Sequence, residues 1–150
     1  MSESPSDAAA ISRDDLLPRL RSLKVASRVA LGLVWIYEGV VPKLLFLRAD
    51  EIEIVRRTHL VFGSPEFTLQ AMGVAMLGVG VWLLSGFAER LAVLVATAWM
   101  LALIPLVAFG NPAMLTEPYG ALAKDFCLVA SALAVWLLAP IIPLAEKFAR

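Results

Sequence analysis

Residues Leu91–Thr116 read LAVLVATAWMLALIPLVAFGNPAMLT, a run of 26 without one charged side chain. A hydrocarbon core of roughly 30 Å is crossed by about 20 helical residues, so this stretch alone is long enough to span a bilayer. Phe67–Ala88, with 22 residues, and Phe126–Ala145, with 20, are also free of charge. A fourth apolar run, Val25–Leu47, is interrupted by Arg28, Glu38 and Lys43. In lipid only helices and closed barrels satisfy their own backbone groups, and these runs are too long for barrel strands. The expected fold is therefore all-α, a bundle of four transmembrane helices at about 25–47, 67–87, 90–109 and 122–143. It leaves a polar and basic N-terminal tail at 1–23, one domain at 24–145 and a short C-terminal tail at 146–150.

Composition agrees. Of 150 residues, 60% are hydrophobic and 17% charged, with a mean hydropathy of +0.80. Soluble domains carry about 45–50% apolar and 25% charged residues. The lipid bilayer is thus the first partner, and two terms of function drop out. A net charge of zero with 13 basic residues offers no cationic surface for nucleic acid. One cysteine, Cys127, excludes an internal disulfide or a dithiol relay, and one histidine, His59, excludes a bis-histidine haem. No zinc or iron–sulfur ligand set is visible, so no metal site and no resident cofactor is expected. Any electron carrier would be a diffusible molecule or a membrane redox partner protein.

Local patterns fill in the rest. Met1–Ser12 is polar and reads as disordered. Arg13–Lys24, with leucines at 16, 20 and 23, suits a segment lying at the interface. The run from Val25 is longer than a signal-peptide core and reads as a retained anchor. Ala71, Ala75 and Gly78, with Gly73 and Gly80 nearby, suit close helix packing in the second span, as do Ala92/Ala96, Ala98/Ala102 and Ala130/Ala134 in later ones. Ala49–Phe62 places Ile52, Val55, His59 and Phe62 at near-helical spacing, which fits a short interfacial helix with His59 at its surface. Arg13, Arg19, Arg21, Lys24, Arg90, Lys147 and Arg150 fall on one side of the membrane. Lys43, Arg48, Arg56, Arg57 and Lys124 fall on the other. Seven against five places both termini in the cytoplasm.

The residue hardest to reconcile with lipid is Glu38, in Trp35-Ile36-Tyr37-Glu38-Gly39-Val40-Val41-Pro42-Lys43. A charge near the middle of a span costs roughly 2.5–3.5 kcal/mol on insertion scales, so it needs a partner, a proton or a water-lined cavity. In an up-and-down bundle the end of the first span and the start of the fourth share one face. Tyr37, Glu38 and Lys43 then meet Asn111, Glu117, Tyr119, Lys124 and Asp125, while the opposite face carries only ordinary flanking charges. Pro42 lacks an N–H and should kink the first helix one turn beyond Glu38. Lys43 is five residues from Glu38, poorly placed for pairing on a regular helix; Lys124 is an equal candidate. Two readings stand, a structural ion pair and a lined pocket or proton site, with Tyr37, Glu38, Pro42, Lys43, Tyr119, Lys124 and Asp125 as candidates. Trp35, Tyr37 and Tyr119 suit either interface aromatics or a flat wall for a ring-shaped ligand; Trp82, Trp99 and Trp136 suit packing or anchoring. Asn111-Pro112 and Glu117-Pro118-Tyr119-Gly120 are turn formers.

Leu31-Gly32-Leu33-Val34-Trp35-Ile36-Tyr37-Glu38-Gly39-Val40-Val41-Pro42-Lys43-Leu44 closely resembles the first-helix signature of the DoxX-like family of small bacterial membrane proteins. Pro118-Tyr119-Gly120-Ala121-Leu122-Ala123-Lys124-Asp125 is similar to its second signature, a Pro-aromatic-Gly turn and a Lys-Asn pair opening the last helix. Asp125 stands where the signature has asparagine, which adds a carboxylate to the pocket. Met76 stands where relatives often have glutamate, so a multi-carboxylate mechanism does not carry over. The resemblance implies a four-helix bacterial inner-membrane protein, some of whose relatives are linked to quinone reduction or membrane redox complexes. Three functions are consistent with these residues. The first is a small-molecule-binding or accessory redox subunit, with quinone as the ligand class. The second is a scaffold with a structural ion pair. The third is a proton-coupled carrier, which would require a homo-oligomer because four spans in one copy are few for alternating access.

Overall fold

The computed structural model describes residues 13–115 and 121–142. Among them there are helices and no strand. Helix α1 runs Arg13–Val40 and passes directly into a wide π turn, Val41–Leu45. A short helix α2 (Ala49–Arg57) follows, then α3 (Pro65–Ser85) and α4 (Glu89–Gly110). A single 3₁₀ turn, Pro112–Leu115, leads toward α5 (Ala121–Leu138). The four long helices close a ring in which α1 touches α3 and α5, and α4 touches the same two; α2 rests on α3 and α4.

Local chemistry sets the ends of these helices. Ser64 caps α3, its Oγ accepting from the Phe67 N–H at 3.1 Å, and Pro65 fills the first position, where a missing donor costs nothing. Gly86, at φ 72°, ends the same helix in the left-handed conformation that glycine adopts without strain. The expected Pro42 kink appears as the π turn, closed by a Phe46 N–H bond to the Val41 carbonyl five residues back, at 2.9 Å. The interfacial helix expected within 49–62 is α2, shorter by five residues because His59 turns to φ 55°.

Two expectations need correction. Arg13–Lys24 is not a separate surface segment; it forms the first turns of α1, because Lys24 and Arg28 find a buried partner described below. The line Ala71–Ala75–Gly78 does not pack either. Ala71 and Ala75 are exposed, and a Cβ at Gly78 would meet nothing within 4 Å. The close crossing uses the other glycines. A Cβ on Gly39 would lie 2.6 Å from the Gly73 carbonyl oxygen, and one on Gly80 would lie 2.8 Å from the Gly32 oxygen. Gly32 and Gly39 are seven apart, as are Gly73 and Gly80, so the antiparallel helices meet backbone to backbone at two points in one register. A seven-residue repeat keeps one seam in contact along paired helices.

The outside of the ring carries many large apolar side chains. Ala92, Ala96, Ala132 and Ala139 are buried, whereas Phe67, Phe87, Phe109 and Phe126 are exposed. Small residues at contacts and large ones outward is the pattern of helices packed in lipid, where burial of large side chains gives no advantage over lipid contact. Leu16–Leu45, Pro65–Ser85 and Glu89–Gly110 are each long and apolar enough to cross a membrane. This is a membrane protein.

The glycine seam predicts unequal costs. Gly39→Ala should destabilise the detergent-solubilised protein by about 1–3 kcal/mol through overpacking, while Gly78→Ala should change it by less than about 0.5 kcal/mol. Thermal unfolding of the two variants checks this, and equal losses would contradict the crossing.

Candidate functional site

Four elements converge at one end of the ring. The last turn of α1 carries Glu38, the π turn carries Lys43, α2 carries Glu51, and the first turn of α5 carries Lys124 and Asp125. Lys124 Nζ donates to Glu38 Oε1 at 2.6 Å, a contact joining residues 86 apart in the chain. Lys43 Nζ lies 2.9 Å from Glu51 Oε2. The second pair is the more deeply set, with side chains 9% and 18% exposed against 38% and 26% for Lys124 and Glu38. The sequence alternative of a Glu38–Lys43 pair is not formed, because the π turn points Lys43 toward α2 rather than back along α1.

These pairs stand on the wall of a cavity of about 180 Å³. Trp35, Met76, Met100 and Leu128 supply its apolar part, and Ile54 and Val55 of α2 close over it. Pockets for drug-sized ligands measure roughly 300–1,000 Å³, so this one is smaller than those. The cover is held by charge and by fit. Arg57 Nη1 donates to the Gly110 carbonyl at 3.2 Å, and a Cβ on Gly110 would lie 2.8 Å from Ile54 Cγ2. On the outer side of α2, two bonds from Arg48 to Asp50, at 3.0 and 2.6 Å, hold that carboxyl below its usual range.

Of the candidates named from sequence, Glu38, Lys43, Lys124 and Asp125 reach the cavity wall. Pro42 sits in the π turn beside them, and Tyr37 is 58% exposed and off the wall. Tyr119 and Glu117 lie outside the described residues. Trp35 is no belt aromatic: it is 4% exposed and meets Trp99 edge to face, with centroids 5.8 Å apart. His59 is exposed, as expected. Sequence reasoning missed Glu51, Met72 and Met100 on the wall, and noted Met76 only as standing where relatives often have glutamate. Glu51 carried a signal, since it lies three and four residues before Ile54 and Val55 and so shares their face of α2. Met72 and Met100 carried none.

The opposite end is not ordinary either, contrary to expectation. Lys24 is fully buried and its Nζ is 2.7 Å from Glu89 Oε1; it also donates to the Ile142 carbonyl. Arg28, one turn further along α1, lies 3.5 Å from the other Glu89 oxygen, its guanidinium filling the space a Gly86 side chain would need. Glu89 opens α4, where the helix dipole favours a carboxylate. Three charges hidden from solvent thus clamp α1 to the start of α4. Nearby, Arg90 stands over the Trp136 ring at 5.7 Å.

A family model described as the DoxX-like family matches residues 32–133, a span that contains the whole cavity wall. No curated protein and no solved structure gives a significant match.

The two charge clusters predict different costs. Glu89→Gln leaves two buried cations without a counter-charge and should cost about 3–5 kcal/mol. Glu38→Gln, in the more exposed pair, should cost about 1 kcal/mol or less. Thermal unfolding in detergent should rank them in that order; the reverse order would contradict the assignment of the clamp.

Proposed function

The chain belongs to the DoxX-like family, and on that footing we propose that it binds a small, largely apolar ring molecule of the quinone class at the polar end of a four-helix transmembrane bundle. The carrying observation is the cavity of about 180 Å³, apolar at Trp35, Met76 and Met100 and rimmed by the Glu38–Lys124 and Lys43–Glu51 pairs. An apolar ring would rest against Trp35 and the methionines, and its polar substituents would reach the rim. Met76, where relatives often carry glutamate, makes the inner part less polar and suits binding rather than chemistry on several carboxylates.

In this reading α5 is the fourth crossing helix, since residues 126–138 carry no charge. The protein is a multi-pass component of a bacterial inner membrane with both termini in the cytoplasm, and the cavity opens toward the opposite side. It serves as an accessory or ligand-binding subunit to a membrane redox partner. The glutamates and lysines on the wall orient the ligand.

A second reading has its own support. Both lysines on the wall are already paired by the protein, which is what a scaffold using charge to fix helix register would show.

Gentle purification from native membranes, followed by mass spectrometry of the bound organic extract, separates the two. The binding reading predicts a stoichiometric quinone or other aromatic that is lost in a folded Glu38→Gln variant. An extract of bulk lipid alone would favour the scaffold.

A further inference from the structure

The charges on the cavity wall do not balance, and the imbalance bears on the ligand. Glu38, Glu51 and Asp125 face Lys43 and Lys124, three carboxylates against two ammonium groups. Each ammonium is already engaged, Lys124 by Glu38 at 2.6 Å and Lys43 by Glu51 at 2.9 Å. Asp125 makes no hydrogen bond or ion pair among the described residues, although it is part-buried at the start of α5. An ionised carboxylate only accepts hydrogen bonds. Asp125 is therefore the carboxylate left without a cation or a donor of its own among the described residues.

Resting on the binding reading above, we infer that the cavity selects a ring bearing a hydroxyl group, which donates to Asp125, over the same ring bearing only acceptor oxygens. A ring carbonyl or ether placed beside Asp125 sets acceptor against acceptor and leaves a part-buried carboxylate unpaired. It could accept from an N–H that Lys124 does not spend on Glu38, but Asp125 would still lack a donor. A hydroxyl avoids that penalty. Its oxygen remains free to accept from the spare N–H groups of Lys43 or Lys124, each ammonium having three donors. A neutral hydroxyl also fits the setting better than a protonated amine, which would give up its hydration and lie close to the ammonium groups of Lys43 and Lys124. Within the quinone class, the preference falls on the reduced, hydroxyl-bearing ring.

The test uses the full-length protein in lipid nanodiscs with two probes of nearly equal size, 4-butylphenol and 4-butylanisole, and subtracts partition into empty nanodiscs. The first donates a hydrogen bond; the second only accepts one. Wild-type protein should bind the phenol at least about tenfold more tightly, the scale of one hydrogen bond kept or lost. Asp125→Asn, whose amide both donates and accepts, should bring the ratio close to one. Should that variant fail to fold, the wild-type ratio decides by itself. Equal binding of the two probes, tighter binding of the ether, or an unchanged ratio in folded Asp125→Asn would overturn the donor preference while leaving the binding site in place. Binding of neither probe would overturn the site reading, and the preference with it.

Discussion

Gly39 and Gly73 meet backbone to backbone, and the arrangement of the polar end follows from that contact. A side chain at Gly73 would lie 2.9 Å from Lys43 Cβ as well as 2.7 Å from the Gly39 oxygen. The absence of one lets the end of α1 lie flat on α3. It fixes the height and rotation of the turn that carries Glu38 and Lys43. With α1 held against α3 on one side, its other side meets α5, where Lys124 completes the pair with Glu38. The π turn then adds a second rotation. Pro42 removes a backbone donor just where the helix would continue, and the wider turn swings Lys43 toward α2 and Glu51.

The two ends of the ring use charge differently. Around Glu89 the charged groups are packed against backbone, with Lys24 donating to the Ile142 carbonyl and Arg28 pressed to Gly86. Such a cluster is costly to break and leaves a solute little to engage, which is the behaviour of a clamp. Around Glu38 the charges line an open volume beside Trp35 and the methionines, under a short helix held by the Lys43–Glu51 ion pair and the Arg57–Gly110 bond. Polar groups converging on an apolar cavity are the usual composition of a small-molecule site. One end is therefore closed on its own charges, and the other encloses a cavity with charged walls.

Much of the architecture was legible in the chain because the bilayer imposes strong rules. Charge-free runs of 20 or more residues mark helices, and Ser64-Pro65 and Gly86 punctuate α3 as their chemistry requires. Glu38 drew notice because lipid makes an isolated carboxylate expensive, and one of its two candidate partners, Lys124, is the one it meets. What stayed hidden depends on distant pairing or rotation. Lys24 read as a flanking basic residue and Arg28 as an interruption of the first span, because their shared partner, Glu89, is 65 residues from Lys24. Glu51 was masked by the many charges around it. Small residues in α3 recur so often that spacing alone did not say which set faces α1; only the matched seven-residue interval in both helices separates Gly73 and Gly80 from Gly78. Trp35 stayed open between an interface aromatic and a flat wall, and only the rotation of α1 turns it inward against Trp99.

The most direct measurement of the central claim is an experimental density map of the protein purified from its native membrane without added ligand. A binding site predicts compact, ring-sized density lying against Trp35 and Met100, with its polar edge toward Asp125 and both ion pairs intact. A cavity holding only water, or an acyl chain threaded in from the bilayer, would contradict it.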